Sequence, residues 1–310
     1  MSQAIVFPGQ GAQFPGMAAT WVSSFPEAKR MFERADEALG FSLSKIASDE
    51  SDDSIHRTDL AQPAILATSA AVIEVLRARG LDTQAAPLMA GLSLGEYTAL
   101  WCAGAIEFED AVKLVRLRGE AMQDAAEQIP SSMTSLMGAD RETAEKLAAV
   151  GREHGICSVA NLNAPGQVVI SGELKALDAM EAATGDHGIS RFVRLTVAGG
   201  FHSECMRPAS ERLANALAET EVQTPSVPVI TNVTAEPVKD AAEIRQRLSE
   251  QVCAPVLWAQ SMRSALDQGV TEFLEPGPGK VLAGLMKRIG RDAGLRPSVR
   301  NVDTPEAVEA

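Results

Sequence analysis

At 310 residues, 45% hydrophobic and 22% charged, the chain can bury a sizeable core in one large domain or two. Lys plus Arg number 28 against 41 Asp plus Glu, and the net charge of −13 repels phosphate backbones, which argues against a nucleic-acid partner. An acidic protein partner would need a local basic patch, because the global field opposes its approach. The four cysteines, Cys102, Cys157, Cys205 and Cys253, show no Cys-x-x-Cys or Cys/His spacing, so no zinc site or disulfide frame is expected and a reducing, cytoplasmic setting fits. No apolar run approaches the length of a membrane span, and the start of the chain has neither a basic region nor a signal-like core, so no membrane association is expected.

In chain order, Ala4–Phe7 reads as a strand that ends in the Gly-rich turn Pro8-Gly9-Gln10-Gly11. Apolar residues at helical spacing run through Phe25–Leu39 and Pro63–Leu76. A short strand, Leu88-Met89-Ala90, leads through a tight turn, Gly91 to Gly95, into helices over Glu96–Cys102 and Glu109–Gln128. After Pro130 the order is strand (Met133–Met137), helix (Arg141–Glu153), strands (Cys157–Leu162 and Val168–Ser171), helix (Leu174–Ala183) and strand (Phe192–Val197). That β-α-β-β-α-β order is the ferredoxin-like pattern, set between two stretches of strand-turn-helix character as an insertion would be. The larger pattern resumes with strands near Val227–Thr231 and Thr271–Leu274. The expected architecture is α/β: a large domain with a mostly parallel sheet over residues 1–129 and 199–310, and a ferredoxin-like small domain over 130–198.

Gly91-Leu92-Ser93-Leu94-Gly95 fits G-x-S-x-G between a strand and a helix, the context in which this motif places a nucleophile. Side chains two residues either side of such a bend would collide, which explains both glycines. The bend lifts the Ser93 hydroxyl above the sheet and aims the amide of Leu94 at a developing oxyanion. A serine needs a base. Of the four histidines, His56 lies in a polar stretch read as a solvated loop, and His154 and His187 sit at ends of small-domain helices. His202 follows Ala198-Gly199-Gly200-Phe201, where the insertion rejoins the large domain, and is the candidate left by elimination. A second oxyanion donor, worth about 3–4 kcal/mol of transition-state stabilisation, is offered by the amide of Gln10 between two glycines. The spacing Gly9, Gly11, Gly16 is not that of a dinucleotide loop, and Glu275-Pro276-Gly277-Pro278-Gly279-Lys280 lacks the features of a phosphate loop and reads as a structural turn.

On the helix Glu109–Gln128, Arg118 shares a stripe with Ala111, Leu114, Val115, Ala121 and Met122, while Arg116 points to the solvent side. A buried arginine must meet an anion: either an internal Asp or Glu, or a substrate carboxylate gripped by both guanidinium arms. Gly119 beside it leaves room for something to approach. An acyl group without a carboxylate would leave the guanidinium unpaired, at about 3–5 kcal/mol.

These residues resemble the malonyl-CoA:acyl carrier protein transacylases of fatty acid synthesis over nearly the whole chain. The resemblance is carried by Phe7–Gln13, Thr58–Ala64, Gly91–Tyr97, Arg116–Gln123, Asn161–Gln167, Phe201-His202-Ser203 and Gln251–Trp258. It implies a hydrolase-like α/β domain with a ferredoxin-like insertion, and a ping-pong transfer of malonyl from malonyl-CoA to an acyl carrier protein by a monomer. Malonyl-CoA is then a substrate, and no cofactor or metal is expected. Ser93 is implied as nucleophile and His202 as base and then acid. The amides of Gln10 and Leu94 are implied as the oxyanion hole, and Arg118 as the malonyl clamp. The backbone carbonyl of Gln251 is implied to orient the histidine in place of a carboxylate. Gln62 is implied to line the pocket, and Phe201 to match the malonyl-selecting form. Leu92 stands where most bacterial members have histidine, and Gly199-Gly200 replaces a segment that often contains proline. Three rival readings are a serine esterase or thioesterase, a non-catalytic acyl-binding protein, and an acyltransferase serving a polyketide assembly line. For carrier docking, the basic residues near the domain junction are Arg191 and Arg194.

Overall fold

The computed structural model describes residues 3–309. Its strands are β1 (Ala4–Phe7), β2 (Met89–Gly91), β3 (Ser131–Met137), β4 (Cys157–Ala164), β5 (Gln167–Glu173), β6 (Arg191–Arg194), β7 (Val229–Ile230), β8 (Glu272–Pro276) and β9 (Ser298–Val302). The helices are α1 (Ala19–Ser24), α2 (Pro26–Leu39), α3 (Leu43–Ser48), α4 (Thr58–Arg77), α5 (Gly95–Cys102) and α6 (Phe108–Gln128), followed by α7 (Arg141–Arg152), α8 (Leu174–Ala182), α9 (Arg207–Glu219), α10 (Ala241–Gln251), α11 (Trp258–Asp267) and α12 (Val281–Asp292).

Five strands form one parallel sheet in the order β7-β2-β1-β8-β9. Its central strands are buried on both faces, which is why they read as short continuous apolar runs. Four strands form the antiparallel sheet β4-β5-β3-β6, with α7 and α8 packed on each other and on the sheet around their own core, including Leu136, Leu147, Ile170 and Leu177. The α/β class, with its large parallel sheet and separate small antiparallel one, is therefore as the sequence indicates. β9 was not legible as a strand, and the last strand of the small sheet is Arg191–Arg194, earlier than the expected Phe192–Val197. The Glu275–Lys280 turn is structural: the Glu275 carboxylate accepts the free amides of Leu282 and Ala283 at the start of α12.

Two expectations about α4 are corrected. The helix starts at Thr58, ahead of Pro63, so the proline lies in its interior. A proline there orphans the carbonyl four residues back, and that carbonyl, on Asp59, accepts from Arg116 Nη1 at 2.8 Å. The helix is also long and apolar enough to cross a membrane by composition, contrary to the reading of the sequence. Its apolar surface is spent inside the protein, where 94% of the most apolar stretch is buried.

Candidate active site

Three parallel strands release the chain at one edge of the sheet, and the polar residues gather there: Gln10 after β1, Ser93 after β2 and Asn232 after β7. This is the edge at which open α/β sheets place their ligands. The bend after β2 is as tight as the glycines suggest. A Cβ on Gly91 would overlap the Gly95 backbone, and one on Gly95 would overlap the Phe7 carbonyl. Ser93 itself has φ 54°, a left-handed conformation that costs a residue with a side chain about 1–2 kcal/mol. Asn232 holds it there: its Oδ1 accepts the Ser93 amide at 2.6 Å and its Nδ2 donates to the Gly91 carbonyl at 2.7 Å. Among the described residues the amides of Leu94 and Gln10 donate to no protein group, so both can receive an oxyanion.

His202 also adopts a left-handed conformation, φ 58°, and is buried. Its Nδ1 lies 2.8 Å from the Gln251 carbonyl and its Nε2 lies 2.8 Å from Ser93 Oγ. A carbonyl only accepts, so Nδ1 carries the proton and Nε2 accepts from the serine hydroxyl. Burial and then the nearby Arg118 guanidinium hold the imidazole down at about 4. The ring is thus neutral at pH 7 and able to take a proton. Since kcat/KM follows the free enzyme, activity is expected to be lost completely only as the pH falls through about 4. A pH–rate profile checks this; complete loss already at the ordinary histidine pKa would contradict the buried geometry.

Arg118 is fully buried and, among the described residues, touches no carboxylate. Nη1 donates to Gln62 Oε1 at 2.6 Å, and Nη2 donates to Gln251 Oε1 and Ser93 Oγ, both at 3.0 Å. Nε is buried without a partner. Burial pulls the guanidinium below its ordinary pKa, yet it stays charged. A buried cation whose hydrogen-bond partners are all neutral oxygens is able to take up an anion.

Gln10, Ser93, Phe201 and His202 line a cleft of about 900 Å³, and Arg118, Gln62 and Gln251 lie behind them. Gln62 therefore supports Arg118 and is not itself at the surface of the cleft. All eight residues singled out in the sequence converge on this region. His56 lies at the cleft's edge, exposed, while His154 and His187 are on the small domain and do not line the cleft. A second cleft of about 660 Å³, lined by Leu162, Pro165 and Ile289, contains none of the eight.

Two expectations fail. Arg116 is not directed to solvent: besides the Asp59 carbonyl, it pairs with the Asp59 and Glu120 carboxylates at 2.9 and 2.8 Å. Gly119 makes room for the α4 backbone at Thr58 and Asp59, not for a ligand, since a Cβ there would lie 2.7 Å from Asp59 Cα. Sequence reasoning also missed Asn232 and Glu96. The signals were an asparagine just past a strand end on the ligand-binding edge and a carboxylate in an otherwise apolar helix beside Ser93.

Residues 4–299 match the family model described as "Acyl transferase domain". The malonyl CoA-acyl carrier protein transacylase of Bacillus subtilis (strain 168) is 40% identical over 307 residues, 99% of this chain and 95% of that protein. The chain belongs to the malonyl CoA-acyl carrier protein transacylases, within the acyl transferase family. It is an acyltransferase. Among solved structures of the family, the acyl-carrier-protein-S-malonyltransferase from Bartonella henselae has a TM-score of 0.94 at 38% identity, covering 100% of this chain and 98% of that one. A malonyl-transacylase solved in complex with its type II PKS acyl-carrier protein has a TM-score of 0.93 at 37% identity, covering 100% and 98%.

Proposed function

We propose that this chain transfers malonyl from malonyl-CoA to the phosphopantetheine thiol of an acyl carrier protein, through an ester on Ser93, to supply fatty acid synthesis. The observation that carries the reading is the contact of one serine with both a neutral imidazole and a guanidinium that has no carboxylate of its own. Ser93 Oγ attacks the thioester carbonyl as His202 Nε2 takes its proton. The oxyanion is received by the amides of Gln10 and Leu94. The C–S bond breaks, and His202 returns the proton to the coenzyme A sulfur. The carrier's thiol then gives its proton to His202 and attacks the ester carbonyl. The C–O bond to Ser93 breaks, and His202 returns the proton to Ser93 Oγ as the carrier leaves with the malonyl group. Gln251, through its carbonyl, keeps the imidazole in the tautomer that both steps require. The malonyl carboxylate takes Arg118 away from Ser93 Oγ, so binding the correct acyl group also frees the nucleophile's oxygen. Phe201 gives the cleft an apolar wall. We place the enzyme in the cytoplasm as a monomer, a setting that suits its four free thiols.

A second reading shares the chemistry and changes the carrier. The structural similarity to a transacylase bound to a type II PKS acyl-carrier protein favours considering a polyketide carrier. Competition among malonyl-, methylmalonyl- and acetyl-CoA, with transfer to both kinds of carrier as the readout, tests both. Preferred transfer of malonyl to the fatty acid carrier is expected. Preferred transfer to the polyketide carrier would reassign the acceptor, and release of free malonate without transfer would make the protein a thioesterase. Arg194 is a poor docking residue, being paired with Asp178 and Glu181, whereas Arg191 is exposed on the edge strand β6.

A further inference from the structure

Glu96 stands in the first turn of α5, three residues past the nucleophile, and is 1% exposed. Its carboxylate turns inward instead of capping its own helix. Oε2 accepts the Asn232 backbone amide at 2.9 Å and Gln251 Nε2 at 2.8 Å. Those two residues hold the reacting pair. Asn232 clamps the bend at Ser93 through its side chain. Gln251 directs its carbonyl to His202, its Oε1 to Arg118, and its Nε2 to the Ser93 carbonyl as well as to Glu96. One carboxylate therefore ties together the supports of the nucleophile, the base and the clamp.

The charge balance adds a second reason for its presence. When His202 takes the serine proton, an imidazolium forms in a buried site that already contains Arg118. Among the described residues, Glu96 is the anionic side chain hydrogen-bonded into this network. Around it, α6 contributes Arg118, α5 contributes Tyr97, and β1, β2 and β7 contribute no charged residue. Asp59 of α4 is occupied by Arg57 and Arg116.

Resting on the transfer reading above, we propose that Glu96 is a positioning residue for the proton transfer. It fixes Gln251 and Asn232 against His202 and Ser93, and it balances the positive charge that develops between His202 and Arg118. Burial holds its carboxyl up at about 7, against the opposing pull of the Asn232 and Gln251 donors and of Arg118. Its charge is thus lost as the pH falls through about 7.

The test is a pH–rate profile of malonyl transfer for the native enzyme, Glu96→Gln and Glu96→Ala. The native kcat/KM is expected to fall by a partial step of about three- to tenfold through pH 7, ahead of the complete loss near 4. Glu96→Gln keeps an oxygen where both donors point but carries no charge. Its profile should lack the upper step, with kcat about tenfold below native at pH 8 and KM for malonyl-CoA within about threefold. Glu96→Ala leaves the Asn232 amide unpartnered and Gln251 Nε2 with only the Ser93 carbonyl, and should lower kcat by about 100-fold. A Glu96→Gln profile that superimposes on the native one, or native kcat in both variants, would overturn the proposal. If circular dichroism shows Glu96→Ala to be unfolded, the Glu96→Gln profile still decides. A native protein that forms no malonyl-enzyme would instead overturn the transfer reading, while a normal adduct alongside native-like variants would overturn only the role of Glu96.

Discussion

Ser93→Ala is expected to lower malonyl transfer by at least about four orders of magnitude while the protein stays folded. The substitution removes the one oxygen that both His202 Nε2 and Arg118 Nη2 contact. It leaves the bend itself in place, because the left-handed backbone at this position is held by Asn232 and by the close passage of Gly91, Gly95 and Phe7. Alanine is strained there to about the same degree as serine, so stability should change by less than about 1 kcal/mol. Transfer in a single turnover, compared with thermal melting, separates the two effects. A variant with native melting and more than a hundredth of native transfer, a bound well short of the loss expected for a nucleophile, would remove Ser93 from the mechanism.

Arg118→Ala is expected to lower kcat/KM for malonyl by about two to three orders of magnitude and to affect acetyl far less, so that the preference between them narrows. The magnitude follows from what surrounds the guanidinium. Gln62, Gln251 and Ser93 offer only neutral oxygens, so the incoming carboxylate supplies the first direct counter-ion. The truncation also strands the side-chain Oε1 atoms of Gln62 and Gln251, at a stability cost of about 1–3 kcal/mol. A second signature has a definite sign. Arg118 helps hold His202 down at about 4, so removing it lets the imidazole pKa rise and moves the acid limb of kcat/KM toward higher pH. An unchanged malonyl-to-acetyl ratio with an unmoved acid limb would contradict the clamp.

Much of this site is legible in the sequence. The Gly91–Gly95 spacing announced the bend, because only glycines tolerate the overlaps that the structure contains. Arg118 announced itself by sitting on an apolar stripe of α6. Elimination reached His202, but its partner could not be found that way, since the group that orients it is a backbone carbonyl and any residue type supplies one. The same limitation hid the placement of Arg116 and Gly119. Both face the first turns of α4, whose start ahead of Pro63 depends on a tertiary contact from Arg116 to the Asp59 carbonyl. Asn232 and Glu96 act across more than 130 positions of sequence, and no local pattern reports such a pairing. The edge strand β9 was indistinct for another reason: a strand of five residues carries little periodicity.

The central claim is that the malonyl group passes through Ser93. Its most direct test is the intact mass of the native protein mixed with malonyl-CoA, followed by peptide mapping and addition of holo acyl carrier protein. A malonyl adduct confined to the peptide containing Ser93, stable in water and discharged onto the carrier, is the predicted result. Hydrolysis of malonyl-CoA without an adduct, or an adduct on another residue, would contradict it.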